Sequence, residues 1–295
     1  MSGQHEGALA EMIAGWTPGP TETVDRVTPW SVAAFSSLLD LPEPAAGEGD
    51  PLPPLWHWFA FLDHPRASEL GDDGHPDAGH FLPPVPDRRR MFAGGRLEVR
   101  GTWRVGEEVT RRAELGPVEV KSGRSGEMAF VTVRSTFSRG DDVLAVENQD
   151  IVYRSQSPGE QRAVGVPAER EGPDPVHKAT LELTPGPTHL FRYSALTYNT
   201  HRIHYDEPYV TGVEGYPGLV VHGPLLAMLL LELPRRSCPV WPVTSFSYRL
   251  RRPVFAGQTV VAGASADAEG LAVSAAVPGA PDSVTGHVGL GGLRA

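Results

Sequence analysis

The sequence predicts an α+β fold of two similar halves, each an antiparallel sheet curved around a central helix. Three observations carry this expectation. From Met91 onward apolar residues recur with period two in short runs separated by glycine-rich turns, the pattern of half-buried strands. The segment His222 to Leu233 is apolar almost all round, through Leu225, Leu226, Met228, Leu229, Leu230, Leu231 and Leu233, and such a helix must be covered on most sides. Finally, Val105-Gly106-Glu107-Glu108-Val109 is matched by Ala256-Gly257-Gln258-Thr259-Val260, 151 positions later, which points to a duplication.

Taken in order, Thr28-Pro29-Trp30 opens a first helix. Thr28 is a capping residue and Pro29 suits the first helical position, with Trp30, Ala33, Ala34, Leu38 and Leu39 at roughly helical spacing. Leu41 to Pro54 reads as a loop, Trp56 to Leu62 as a strand, and Asp63 to Arg90 as a long run of turns of the kind that is usually functional. Strands follow around Leu97, Val105, Val109, Ala129 to Val133, Val143 to Val146 and Ile151 to Tyr153. Ser155 to Asp174 lacks an apolar period and reads as a linker. After it the plan repeats: a strand over Leu190 to Tyr198, a histidine-rich loop, the apolar helix, then strands from Ser245 to Leu290. The boundaries are therefore an N-terminal half over 1–154, a linker over 155–174 and a C-terminal half over 175–295. A curved antiparallel sheet around one buried helix is the hot-dog arrangement, and two halves make a double hot dog.

Composition narrows the function classes. A net charge of −10 argues against nucleic acid and anionic membranes as partners, while leaving room for a local basic pocket. Cys238 is the sole cysteine, so no intramolecular disulfide forms and a cysteine metal site is not expected. The polar start, Met1 to Gly15, has no signal-like apolar run, and the apolar stretch Leu219 to Leu233 is too short to span a bilayer. A cytoplasmic protein is expected. Asp63, His64, Asp72, Asp73, His75, Asp77 and His80 are metal-capable types, but acidic glycine- and proline-rich turns hold such residues by composition and no tight ligand repeat is present. No metal is expected.

One block is chemically specific. Phe191-Arg-Tyr-Ser-Ala-Leu-Thr-Tyr-Asn199-Thr-His201-Arg-Ile-His204-Tyr-Asp206 is followed by Gly218-Leu-Val-Val-His222-Gly223-Pro-Leu225. It resembles the MaoC-like, R-specific enoyl-thioester hydratase family, whose motif Asp-x-Asn-Pro-Ile-His-x-Asp precedes a His-Gly-x-Leu helix start. His204 falls on the motif histidine, Ile203 on its isoleucine, Asp206 on its second aspartate, and Asn199 on its first aspartate. The stretch Tyr198 to Asp206 is closer to the subgroup of 3-hydroxyacyl-thioester dehydratases and mesaconyl-CoA or itaconyl-CoA hydratases, as are Gly71-Asp-Asp-Gly-His-Pro76 and Arg89-Arg-Met-Phe-Ala-Gly-Gly-Arg96 in the N-terminal half.

The resemblance implies a hydro-lyase acting on a coenzyme A or carrier-protein thioester, without a metal or redox cofactor. Adding water to a C=C conjugated to a thioester needs a base for the water and donors for the enolate-like oxygen. Histidine is the natural base, and the start of a buried helix supplies unpaired N–H groups and a positive dipole end. On this reading His204 activates water, Asn199 orients it, and the Gly223 N–H is an oxyanion donor. Ser194, Tyr198, His201, Arg202, His222 and Arg89 are expected around the substrate. Arg202 would pair with a substrate carboxylate or a coenzyme A phosphate, and Arg88-Arg89-Arg90 would meet the carrier phosphates. The amide at Asn199 departs from the wider family, though not from the closer subgroup, and cannot exchange a proton usefully; either His204 makes both transfers through the water, or Asp206 or another group contributes. Two other readings stay open: a hot-dog acyl-CoA thioesterase, although Glu232 sits at the wrong end of the helix for it, and a non-catalytic acyl-thioester binding subunit. Homodimerisation is a further expectation, by fold-level analogy.

Overall fold

A computed structural model describes residues 8–85, 88–123, 126–155 and 177–291. In the N-terminal half the elements are α1 (Ala8–Ile13), β1 (Thr21–Asp25), α2 (Pro29–Leu38), β2 (Arg88–Val99), β3 (Val109–Gly123), β4 (Gly126–Arg139) and β5 (Asp142–Ser155). In the C-terminal half they are β6 (Ala179–Leu183), α3 (Pro187–Thr197), α4 (Glu207–Gly212), α5 (Gly223–Ser237), β7 (Val243–Leu250), β8 (Val260–Ala266), β9 (Gly270–Ala276) and β10 (Val284–Leu290). Ser155 ends β5, and the rest of the expected linker over 155–174 lies outside the described residues.

The ten strands form one antiparallel sheet in the order β1-β3-β4-β5-β2-β7-β10-β9-β8-β6. Each half follows the same rule: its own first, third, fourth, fifth and second strands lie side by side, and the two second strands join the halves. Leu97 of β2 faces Phe246 of β7 across that seam. The two expected sheets are thus continuous, because an exposed strand edge in each half satisfies its backbone groups on the other. The repeated glycines have a physical cause. Gly106 and Gly257 have φ of +83° and +86°, a conformation that costs a residue with a Cβ but not glycine. Each sits in the turn before the third strand of its half.

The C-terminal half is a filled hot dog. Helix α5 packs against β6, β7, β8, β9 and β10, and every residue from Leu225 to Pro234 is buried. A fully buried leucine contributes about 2 kcal/mol, so this helix is the main anchor of its half. The N-terminal half keeps the strand order but differs inside. Helix α2 begins four residues after β1 ends, as α3 does after β6, so α2 corresponds to α3 and the two pack together. Among the described residues the N-terminal half has no counterpart of α5. Aromatic residues enter its core instead: Phe35 meets Trp56 and Phe59, both at 4.9 Å, and Tyr193 at 6.0 Å. The rest of that sheet face borders an open cleft lined by Phe92, Phe130, Ile151 and Tyr153, among others.

Three local expectations are corrected. Trp56 to Leu62 is not a strand: Trp56–Phe59 is a 3-10 turn, since its aromatic side chains point into a helix-facing core rather than alternating across a sheet. Leu190 to Tyr198 is the last part of helix α3. There Leu190, Tyr193, Ser194 and Leu196 are buried at helical spacing, a period that a short apolar run does not distinguish from alternation. In α2 the expected capping is present, with Thr28 accepting from the Ser31 N–H, but the buried stripe is Val32, Phe35 and Leu38, and Trp30 is 72% exposed.

Candidate active site

The 198–223 block becomes a compact site because two short segments, 16 positions apart at His204 and Val220, are laced together. Helix α3 ends at Tyr198, in a left-handed conformation with φ of +48°, which turns the chain abruptly out of the helix. Asn199 then closes a local turn: its Oδ1 accepts from the His201 N–H at 3.0 Å. Because a backbone N–H can only donate, the amide oxygen must face it, which leaves the NH₂ group as the remaining polar end. A 3-10 turn over Arg202–His204 follows. Val220 N–H donates to the Ile203 carbonyl at 2.9 Å, and His204 Nδ1 donates to the Val220 carbonyl at 2.7 Å.

That last bond decides the chemistry of His204. A carbonyl can only accept, so Nδ1 carries the hydrogen and Nε2 of the neutral ring keeps its lone pair. The ring is buried, and burial pushes its pKa down from 6.5 to about 4, against the Val220 hydrogen bond, which acts upward; the charge of His75 adds to the lowering. His204 is therefore a neutral base over most of the physiological range. Its ring stacks on that of His222, with centroids 3.6 Å apart. His222 is the N-cap residue of α5, fully buried, and hydrogen-bonded through Nε2 to Ser194 Oγ at 2.9 Å. Burial holds it uncharged as well, with the charges of His204 and His201 acting in the same direction, and the positive end of α5 favours that neutral state.

Gly223 is the first residue of α5 and lines the cleft with His204, Asn199, His201 and Tyr198. At this position a helix N–H has no intrahelical acceptor, and Pro224 next to it has none to offer. A Cβ on Gly223 would lie 2.3 Å from Leu250 Cδ1, so glycine keeps both the β7 end and the cleft clear. Ser194 and His222 stand behind this wall and support it. Gly223 and His204 thus line one cleft, where a helix-start N–H can serve a developing oxyanion and a neutral imidazole can serve as a base.

The arginines divide sharply. Arg202 is engaged by the protein: Nε and Nη2 donate to Asp206 at 3.0 and 2.8 Å, Nη1 donates to the Asp72 carbonyl at 2.8 Å, and its guanidinium lies 4.0 Å over the Tyr209 ring. Asp206 in turn caps α4 by accepting from the Tyr209 N–H. Arg89 is paired with Glu214, both side chains being largely buried. Arg90 borders the cleft close enough to His201 for its charge to act there, and has no partner among the described residues.

The sequence places the N-terminal half at the substrate, as shelter for the acyl group and through Arg89, but not its 71–77 turn against the 198–223 block. The turn 71–77 docks on the block through Arg202 N–H to the Asp73 carbonyl at 2.8 Å and Thr200 Oγ1 to the Gly74 carbonyl at 2.5 Å. Gly74 has φ of +87°, and a Cβ there would strike the Thr200 carbonyl at 2.0 Å, so only glycine allows this approach. His75 then lies against His201, with ring centroids 4.0 Å apart, and His201 meets His204 at 5.5 Å. The available signal was the Asp-Gly-His turn inside a long loop, which carries no periodicity. The donor atoms of Asp73, His75 and His201 fall within 4.8 Å of one another; in this structure they are joined by a hydrogen bond, His75 Nδ1 donating to Asp73 Oδ2 at 2.9 Å.

Comparison with known proteins gives the family and the fold. A relative, the mesaconyl-C(4)-CoA hydratase of Chloroflexus aurantiacus, is 46% identical over 239 residues, 80% of this chain and 83% of that one. A MaoC-like dehydratase from Phytophthora capsici superposes with a TM-score of 0.68 at 15% identity, over 95% of this chain and 98% of that one. A Mycobacterium tuberculosis protein described as having a double hotdog fold superposes at 0.50 and 15% identity, over 93% and 96%. The model of the hydroxyacyl-thioester dehydratase type 2 family matches residues 55–256, more than half of the chain. The chain belongs to that family, and is a lyase of the hydratase and dehydratase kind.

Proposed function

We propose that this enzyme reversibly hydrates a short branched or dicarboxylic enoyl-CoA of the mesaconyl-CoA or itaconyl-CoA kind. The observation that carries the reading is His204: buried, uncharged, pinned through Nδ1, and facing the same cleft as the start of α5. In the hydration direction its Nε2 takes a proton from water as the water oxygen bonds to the β-carbon. The π electrons shift toward the thioester oxygen, where the Gly223 N–H meets the developing charge. Asn199, an amide, positions the water through its NH₂ group and does not transfer protons. Addition of water moves no electrons to or from a carrier, so the reaction as written needs no redox group.

The acyl group is proposed from two supports. The relative just described is a mesaconyl-C(4)-CoA hydratase, and Arg90 is a cation beside His201 with no partner among the described residues, whereas Arg89 and Arg202 are held in ion pairs. A substrate carboxylate next to the β-carbon would meet Arg90. The thioesterase alternative lacks support here. Glu232 is buried and bound by Arg235 and Arg236, nine residues along α5 from Gly223, or about 13 Å of helix.

The test follows enoyl absorbance and free thiol with mesaconyl-CoA and crotonyl-CoA. Loss of absorbance without thiol release is expected; thiol release would make the protein a thioesterase, and no change with either substrate would leave a binding role. Arg90→Met should raise KM for mesaconyl-CoA about tenfold and leave crotonyl-CoA nearly unchanged.

A further inference from the structure

The wider enzyme family supplies a carboxylate where this chain has Asn199, so one proton-transfer group is missing from the 198–223 block. The N-terminal half contains a candidate whose hydrogen bonding matches that of His204. His75 donates from Nδ1 to Asp73 Oδ2 at 2.9 Å, and its own N–H donates to Asp73 Oδ1 at 2.8 Å. The carboxylate therefore grips the ring and the backbone of the same residue, which fixes the imidazole and leaves Nε2 uninvolved in that grip. The turn is itself rigid: Gly71 N–H donates to the His75 carbonyl at 2.8 Å, and Gly74 N–H to the Gly71 carbonyl at 2.9 Å. Two imidazoles, one from each half, are thus held through Nδ1 and border one cleft.

We propose that Asp73 and His75 form the second proton-transfer pair of the reaction, so that the active site is completed only where the two halves meet. This inference rests on the hydratase reading above and assigns the proton that reading leaves without a donor. In hydration, His204 Nε2 removes a proton from water as the C–O bond forms at the β-carbon and the π pair moves onto the thioester enolate. The His75 imidazolium then gives its Nε2 proton to the α-carbon, the enolate electrons form the new C–H bond, and the thioester carbonyl is restored. His204 afterwards loses its extra proton to water in the cleft, and His75 regains one from it, so that the sum is one water added across the double bond. Dehydration runs the same steps backwards.

The electrostatics are consistent with this division of labour. Burial works to raise the Asp73 carboxyl, but the hydrogen bond and charge of His75 outweigh it and hold the group at about 2. Asp73 is thus an anion whenever the enzyme works. His204, at about 4, is the uncharged base. His75 meets Asp73 on its own turn and the ring of His201 on the facing block, and its charge reaches His201 and His204; Arg90 acts on His201, and Asp73 on Tyr209. Among the described residues Asp73 alone accepts a hydrogen bond from the ring.

The experiment compares wild-type enzyme with His75→Gln and Asp73→Asn on mesaconyl-CoA. His75→Gln should lose about 100-fold or more in kcat and change KM by less than threefold. Asp73→Asn should lower kcat in the same way but by less, because the imidazole stays in place and loses only its anion. Added imidazole should restore part of the rate to His75→Ala, a rescue that a merely structural role would not give. Retention of wild-type kcat by His75→Gln would overturn the proposal, as would the absence of any rescue in a folded His75→Ala. So would one equivalent of a divalent metal in the purified enzyme that is lost in His75→Gln, which would make the cluster a cation site. If His75→Gln does not fold, wild-type kcat in Asp73→Asn overturns the proposal by itself. Failure of wild type to hydrate any enoyl-CoA tested would instead count against the hydratase reading.

Discussion

The imidazole of His204 lies face to face with that of His222, with ring centroids 3.6 Å apart and planes 18° from parallel. Two cations at that spacing in a buried site repel strongly, so the pair does not carry two charges; burial keeps both rings neutral at rest, and the Val220 carbonyl selects the tautomer in which His204 Nε2 is a base. His204→Gln should therefore lower kcat by about 10²- to 10⁴-fold while circular dichroism stays that of the wild type. The acid limb of the wild-type kcat/KM profile should lie near pH 4, not near 6.5, because activity is lost when the base is protonated and its pKa is about 4. Enoyl absorbance at a series of pH values checks both, and an acid limb at 6.5 would contradict the buried assignment.

The same depressed value makes a stability prediction. In the unfolded chain His204 takes up a proton near pH 6.5, whereas the folded site resists until about pH 4. Between those values the unfolded state holds more protons, so stability is fully present above 6.5 and falls as pH falls. At 1.36 kcal/mol per pH unit, His204 alone accounts for a loss of about 3 kcal/mol at pH 4. His201 is depressed further, to about 2, by burial first and by the charges of His75 and His204 next, and should extend the decline. Thermal melts between pH 7 and 4 should show a steeper fall for wild type than for His204→Gln.

Asn199→Asp restores the acid of the wider family. The Oδ1 acceptor for the His201 N–H survives, so the turn should hold. The new negative charge near His204 favours its cation, and the acid limb should move upward from about 4. Loss of the NH₂ donor should lower kcat several-fold at pH 7. An unmoved limb would mean that position 199 is not electrostatically coupled to the base.

Gly223→Ala separates packing from chemistry. The new Cβ meets Leu250 Cδ1, the mobile end of a part-exposed side chain, so stability should change by less than about 1 kcal/mol. The displaced leucine shares the cleft with Gly223, and kcat should fall about tenfold. Adding Leu250→Ala should recover most of that loss, as coupling between touching residues requires; no recovery would show that the methyl group itself blocks the thioester.

Much of this protein is determined along the chain. The all-round apolar pattern of Leu225 to Leu233 requires a buried helix, and Gly106 and Gly257 mark the duplicated turn because both adopt positive φ. The Asn-x-His-x-x-His block over 199–204 marks the proposed base, and His222-Gly223-Pro224 marks the start of α5. Those signals are local: periodicity, turn chemistry and spacing act over a few residues. The sequence alone did not decide between helix and strand for Leu190 to Tyr198, because a short apolar run fits either and only packing against α2 settles it. Nor did it separate Arg202, which Asp206 and Asp72 engage, from Arg90, which has no partner among the described residues. Above all it did not show that Asp73 and His75 reach His201. That contact spans more than 120 positions, depends on Gly74 lying against the Thr200 carbonyl, and exists only once the two halves have folded against each other.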